Sequence, residues 1–363
     1  MDLSKSLADK LFPMHEEETQ ILDIPPNERQ LHTETYDFTV STLVDNLNEN
    51  DIKIPEFQRK FVWTRTQASR LIESLIIQCP IPVIYLSQQN DETLLVIDGN
   101  QRLSSLQLFL DDDFELRGLE VYPELEGFKY SDLDSRIQRH INKRTIRCII
   151  IQKNSHPQIK FDVFQRLNTG SIKLNDQELR HGVFYGDLIK FIEDLSKKSR
   201  WQELTCTKSN KRMKAEELIL RFFSLYDNLK NYKKPFVTFI NDYVEKYRSP
   251  DKNWIDEHKE SFLNMLEISH DLMGNFAFKL FDENLNVQSR FNNAIFDAES
   301  VALARLNLTS QRIQNVDKDV FQKKLGKFIS SEDFYQLVAT GTSGTSSVKK
   351  RIMLMEEFIL KQI

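Results

Sequence analysis

From Asp176 to Ile363 the apolar residues recur almost wholly at helical spacing, most clearly over Leu218–Leu229, Phe262–Met273 and Phe291–Leu306. Strand-like runs are confined to the first half of the chain, so any sheet has to be assembled there. This division points to an α+β fold, with a mixed core in the N-terminal half followed by a helical C-terminal half. Only 10 Gly and 10 Pro in 363 residues argue against a turn-rich sandwich, and 25 Phe supply large apolar side chains for packing between helices.

Within the first half, residues 1–30 are acidic and polar and read as a short helix and a linker. Phe38–Leu43 reads as the opening of a helix. Thr64 begins an amphipathic helix through Ala68, Leu71, Ile72, Leu75 and Ile76, which Cys79-Pro80 ends because proline lacks an amide hydrogen. Val83–Leu86 and Thr93–Ile97 form a hairpin about the Asn90-Asp91 turn, and Arg102–Phe109 follows as a helix. Asp111–Tyr130 reads as a β-rich excursion. Leu133–Asn142 then gives a helix, Thr145–Gln152 a buried strand and Ile159–Leu167 another helix. The organisation expected is an arm and linker over 1–34, a mixed domain over 35–185 and a helical domain over 186–363.

Charge and cysteine content narrow the function classes. With 49 Lys plus Arg against 54 Asp plus Glu, the net charge of −5 gives no uniformly basic face for DNA, although a local basic surface is compatible with it. Lys208–Lys214 is the densest basic run and reads as a solvated loop or a phosphate contact. The three cysteines have no paired spacing, which excludes a disulfide framework and a zinc ribbon; Cys79 and Cys148 read as small core residues. The start of the chain has no signal-peptide pattern, and no apolar run is long enough for a bilayer, so a soluble cytoplasmic protein is expected. A Thr/Ser/Gly patch at 340–347 reads as a loop, or as a donor of hydroxyls and amides to phosphate.

Three segments carry chemistry. In Val96-Ile97-Asp98-Gly99-Asn100-Gln101-Arg102-Leu103 an apolar strand meets an acid, a glycine permits a sharp turn, and a helix starts with polar groups. Unpaired amides and partial positive charge at a helix start suit an anion, and Arg102 can add two parallel hydrogen bonds to a phosphate. Asp98 can hold a divalent metal there or cap the turn. The second segment is Ile54–Trp63, where Phe57, Phe61 and Trp63 anchor a stretch that keeps Gln58 and Arg59 polar. The third is Phe164–Ser171 followed by Leu174–His181. Asn168 and Gly170 suit a helix end, Asn175 or Asp176 an N-cap, and Glu178 and Arg180 a solvated face.

Together these segments resemble, in order and wording, the GmrS-like N-terminal domain of GmrSD-type restriction endonucleases. That family shows I-P-x-F-Q-R-x-x-x-W, then an aliphatic strand into D-G-Q-Q-R, then F-x-R-x-N-x-G with a following E-L-R. Ile54–Trp63, Asp98–Arg102 and Phe164–Arg180 supply these here, and Phe291–Asp297 looks like the family's helical rear part. The resemblance implies a ParB/sulfiredoxin-like core whose G-x-x-R turn contacts nucleotide phosphates, in defence against phage or modified DNA. Gly99, Asn100, Gln101 and Arg102 would then cradle the phosphates of an NTP of unknown base, carried with Mg2+. Gln58 and Arg59 would face the same cleft, Asn168 and Glu178 would line it, and Asp98 would serve metal or water. Asp98, Arg102 and Glu178 are the catalytic candidates. Asn100 stands where the family has its first glutamine, which keeps the amide but shortens its reach.

The implied function is an NTP-binding and NTP-hydrolysing component of a restriction or anti-phage system acting on DNA. Its partners would be nucleotide, DNA through a local basic surface, and a separate effector protein. The alternatives are a metal-dependent, ParB-like DNA nuclease or nickase, and a non-catalytic module that partners an effector. No second nuclease half is recognisable: His140-Ile141-Asn142 is a fragment of an HNH-type site set in a charged helix end. The chain has no Walker-type, G-x-S-x-G or G-x-G-x-x-G motif.

Overall fold

The computed structural model describes residues 30–55, 62–167, 174–208 and 210–363. Its first half is built on a five-stranded mixed sheet in the order β1-β5-β3-β4-β2. The strands are β1 (Thr33–Thr39), β2 (Ile52–Lys53), β3 (Ile84–Gln88), β4 (Leu94–Asp98) and β5 (Thr145–Ile151). β1 pairs antiparallel with β5, β5 parallel with β3, β3 antiparallel with β4 and β4 parallel with β2. The expected hairpin is β3–β4, and the expected buried strand is β5.

Two cores flank this sheet. Leu86, Val96, Ile146, Cys148 and Ile150 join the first, together with α1 (Val40–Asn48), α2 (Arg65–Ile76), α3 (Asn100–Leu110) and α4 (Ser135–Lys143). Ile97 and Ile151 point to the other side, into the core of the helical half. The period-2 alternation of a strand divides its side chains between the two cores in this way. Two helices at the end of the first half, α5 (Pro157–Leu167) and α6 (Asp176–Val183), also pack into the second core through Phe161, Phe164, Leu179 and Val183.

The rest of the chain is helical: α7 (Asp187–Ser196), α8 (Ser199–Leu204), α9 (Lys214–Asn228), α10 (Phe236–Lys246), α11 (Lys252–Met273), α12 (Asn293–Leu306), α13 (Ser310–Ile313), α14 (Lys318–Ile329), α15 (Glu332–Ala339) and α16 (Thr345–Gln362). α12 is the central element, buried over Ala294–Ala304 and packed against α9, α11 and α16. Asp297 lies inside it, fully buried, and takes ion pairs from Arg221 and Arg351, each at 2.6 Å. No described helix is long and apolar enough to cross a membrane.

Three expectations are corrected. The stretch read as a helix opening at Phe38 is the end of β1, and the helix begins only at Val40. Thr33–Thr39 pairs residue for residue with β5, and Thr39 then caps α1 by accepting the amide of Thr42 at 3.2 Å. Sheet pairing decided the conformation of a segment whose local pattern was ambiguous.

Asp111–Tyr130 contains no strand among its residues, only a short 3-10 turn at Pro123–Leu125. Its backbone is satisfied by α2. The Ser69 hydroxyl accepts the Arg117 amide at 2.9 Å, and the Glu73 carboxylate accepts the amides of Glu120, Val121 and Tyr122 at 3.1, 2.7 and 2.9 Å. Burial alone would raise the pKa of Glu73, but these backbone hydrogen bonds outweigh it and hold the carboxyl below its ordinary value.

Cys79, read as a core residue, is exposed, whereas Cys148 is buried as expected. The reason is the end of α2. Gln78 turns left-handed at φ 61, and the Cys79 amide bonds to the Ser74 carbonyl while that of Gln78 bonds to Leu75. This Schellman closure carries the chain away from the core.

Candidate functional site

β4 ends at Asp98, and the chain turns into α3 through Gly99 at φ 101 and ψ 9. A side chain there is disfavoured twice over. The backbone is left-handed, and a Cβ would stand 2.9 Å from Cγ1 of Ile84 on the neighbouring strand. Gly99 at the N-cap has no side chain to cap α3, whose start carries the positive end of the helix.

Arg102 lies one helical turn further and folds back over the turn. Its Nη2 donates to Asp98 Oδ2 at 2.7 Å, and its Nη1 donates to the carbonyls of Pro82 and Val83, the latter at 3.2 Å. The pair is mostly shielded on the arginine side, at 12% exposure. Arg102 thus clamps strand end, glycine turn and the entry to β3 together. For a phosphate to receive both Nη groups it has to exchange with these internal acceptors.

Gln101 does something the sequence did not disclose. Its Oε1 accepts the backbone amides of Val62 and Trp63, at 2.8 and 3.1 Å. The end of the Ile54–Trp63 segment is therefore fastened to the first turn of α3, and two of the three motifs meet. Gln58 and Arg59 lie outside the described residues, as does Asn168.

The third motif forms α6. Asn175 is its N-cap, and a capping box joins it to Glu178: the Glu178 amide donates to Asn175 Oδ1 at 2.9 Å, and Glu178 Oε2 accepts the Asn175 amide at 2.7 Å. The expected solvated face is not what the structure shows, because α6 is enclosed on all sides and Glu178 and Arg180 are both buried. Glu178 also receives Arg212 through Nε at 3.2 Å and Nη2 at 2.7 Å, a forked contact that raises the arginine's pKa. Arg212 belongs to the basic run read as a loop, and it is held with its backbone left-handed at φ 67, its carbonyl bonded to Asn175 Nδ2.

Arg180 is fully enclosed and bonds to amides rather than to a carboxylate: Nε to Asn241 Oδ1 at 2.8 Å and Nη1 to Gln177 Oε1 at 2.5 Å. Burial pulls its pKa down to about 10, against the fields of Glu217 and Asp176. Gly182 packs against Leu95, whose Cδ2 would lie only 3.5 Å from a Cβ on that glycine, and this contact sets α6 against the strand that ends at Asp98.

The remaining candidates are structural in their contacts. His181 bonds to Glu193 at 2.7 Å, and His140 bonds to the Ile76 carbonyl at 3.1 Å. Asn142 donates to the Tyr130 hydroxyl at 2.8 Å, so the HNH-like fragment is part of a helix end. Among the described residues no three His, Cys, Asp or Glu side chains converge as metal ligands. Asp98 on its own offers one carboxylate, already paired with Arg102. A cleft of about 270 Å³ opens beside the start of α2, lined by Arg65, Asp113, Phe114, Glu115, Arg117 and Lys129; none of the motif residues lines it.

Sequence reasoning missed Glu73, Arg212 and the bonding role of Gln101. A usable signal existed only for Glu73, which with Ser69 makes a polar i, i+4 pair within the otherwise apolar face of α2.

Residues 40–185 match the family model described as the GmrSD restriction endonuclease N-terminal domain. An uncharacterised protein of Methanocaldococcus jannaschii is 32% identical over a segment covering 18% of this chain and 15% of that relative. The matched family region takes in the clamped Asp98–Arg102 turn, the tethered Val62-Trp63 end and the capped α6. Over residues 40–185, less than half of its length, this chain is similar to the GmrSD restriction endonuclease N-terminal domain.

Proposed function

We propose that the chain is a nucleotide-binding, NTP-hydrolysing component of a cytoplasmic restriction or anti-phage defence system that acts on DNA. The observation that carries this reading is the Asp98–Arg102 turn: a glycine-dependent bend, a helix start with no side-chain cap from Gly99, and an arginine paired with a carboxylate beside that start. Gly99, Asn100 and Gln101 supply backbone amides to the phosphates. Arg102 moves its Nη2 from Asp98 to a phosphate oxygen and keeps its hold on the carbonyls of Pro82 and Val83.

Gln58 and Arg59, four and three residues before the tethered Val62, complete the pocket with Asn168 and Glu178. Asp98, released by Arg102, orients the attacking water. Hydrolysis adds that water across the terminal anhydride and gives nucleoside diphosphate and phosphate. Glu178 is engaged by Arg212 and the Asn175 amide, which leaves Asp98 as the one carboxylate for a metal, so Mg2+ fits only as an ion brought on the nucleotide, where it would neutralise phosphate charge. In this reading residues 35–185 handle the nucleotide, and residues 186–363 form the domain that meets DNA and a separate effector.

The test is a nucleotide panel screened by thermal shift, followed by calorimetry. A nucleotide at 100 times its Kd raises apparent stability by about 2.7 kcal/mol. Arg102→Lys, which keeps the charge but loses the fork, is expected to lose nucleotide binding while remaining folded, with a melting temperature lowered by the loss of the internal clamp. Undiminished binding by the lysine variant, or no response to any nucleotide in the parent, overturns the reading.

A further inference from the structure

We infer that a lysine-rich surface of the helical half, made by residues 229–235 and 340–351, docks on the phosphate backbone of DNA. It deepens the proposed function by naming the surface, and it rests on that reading for the choice of DNA.

The two segments are more than a hundred residues apart but are bonded side by side. The Lys349 ammonium donates to the Lys230 carbonyl at 2.7 Å, and the Tyr232 hydroxyl donates to the Ser343 carbonyl at 2.7 Å. The Lys234 amide donates to the Thr345 hydroxyl at 3.3 Å. From below, buried Arg351 donates to the Thr342 carbonyl. The fold thus brings Lys230, Lys233 and Lys234 to the same place as Lys349 and Lys350, and neither segment contains an Asp or Glu. In a chain of net charge −5, this is a concentrated exception.

Beneath the patch, Arg221 and Arg351 share the buried carboxylate of Asp297, and Arg351 Nε has no hydrogen-bond partner. The Thr/Ser/Gly stretch at 340–347 leads into α16, whose first residues add amides and hydroxyls with no side-chain cap at Gly344. Backbone amides, hydroxyls and lysines together are the set that contacts nucleic-acid phosphates without reading bases. An anionic membrane is the competing polyanion. Among the described residues the large exposed apolar side chains all lie outside both segments, so neither segment offers one to insert below the headgroups.

The experiment uses the full chain and a duplex DNA probe, with affinity measured by fluorescence anisotropy across a salt series. Each lysine–phosphate contact contributes about 0.9 to the slope of log K against log salt. Lys230→Gln/Lys233→Gln/Lys350→Gln is expected to lower that slope by roughly 2–3 and to weaken binding by at least about tenfold near 0.1 M salt. A matched triple on α14, Lys323→Gln/Lys324→Gln/Lys327→Gln, removes the same charge elsewhere and is expected to leave the slope within about one unit of the parent.

Equal losses in both triples overturn the proposal, because net charge then explains the effect. An unchanged slope in the first triple, an absence of DNA binding by the parent, or binding to phosphatidylserine vesicles in place of DNA overturns it as well. Nucleotide binding, titrated separately on the same proteins, is expected to be unaltered in both triples. Its loss in the parent condemns the turn at Asp98–Arg102, whereas loss of DNA binding alone condemns only the patch.

Discussion

Replacing Gln101 with leucine removes the acceptor that holds the amides of Val62 and Trp63 at 2.8 and 3.1 Å. Each neutral hydrogen bond contributes about 0.5–1.5 kcal/mol net, so the two together are worth about 1–3 kcal/mol. The loss falls on one segment and leaves the global fold in place, because Gln101 sits on the first turn of α3 while the apolar packing of that helix comes from Leu103, Leu106 and Phe109. Local opening of the chain at residues 62 and 63 should therefore become roughly five- to a hundred-fold more frequent, at 1.4 kcal/mol per tenfold. Amide hydrogen exchange reads this directly: Val62 and Trp63 should exchange faster by that factor in Gln101→Leu, with protection in β5 unchanged. Gln101→Glu keeps the acceptor and adds charge, so its two amides should exchange no faster than in the parent. If Gln101→Leu leaves both rates as they were, or if the glutamate variant accelerates them as leucine does, the tether between the two motifs carries no energy and the reasoning fails.

Other outcomes follow from the same geometry. Gly99→Ala should destabilise the N-terminal half by about 2–4 kcal/mol, combining the cost of a left-handed non-glycine residue with the contact to Ile84, read as a drop in the urea midpoint; a shift below the error of the fit would refute the strain. The Glu73 carboxyl titrates below its ordinary value in the folded protein, so its contribution is fully present above the unfolded pKa of about 4.3 and is lost as pH falls through the folded value. Between about pH 5 and pH 2 the parent should accordingly lose more stability than Glu73→Gln, and parallel acid profiles for the two proteins would remove that assignment. Asp297→Asn leaves Arg221 and Arg351 buried without their shared anion and should cost about 3–5 kcal/mol, seen by calorimetry as earlier melting of the helical half. An Asn variant as stable as the parent would show that the arginines find other compensation.

The helical rear half and the hairpin into Asp98 were readable because their signals are periodic: apolar residues every three to four positions for the one, short β-branched and aliphatic runs about a polar turn for the other. The glycine of the turn was readable because only a residue without Cβ fits a left-handed strand-to-helix bend. The partners of Arg102 and Gln101 were not readable. A guanidinium that could meet a phosphate also suits three internal oxygens, and sequence does not rank acceptors that folding brings from residues 82 and 83.

By itself the sequence determined the α+β division, the order of the three motifs and the glycine at the head of α3, all properties of residues near one another along the chain. Tertiary structure alone decided that Thr33–Thr39 is a strand, because its pattern acquires meaning only opposite β5. It also decided that Glu73 binds a loop, that Glu178 meets Arg212, and that two lysine segments over a hundred residues apart share one surface. Hydrogen bonds and charges act over a few ångströms of space whatever the separation along the chain, so these pairings exist only once the cores have closed.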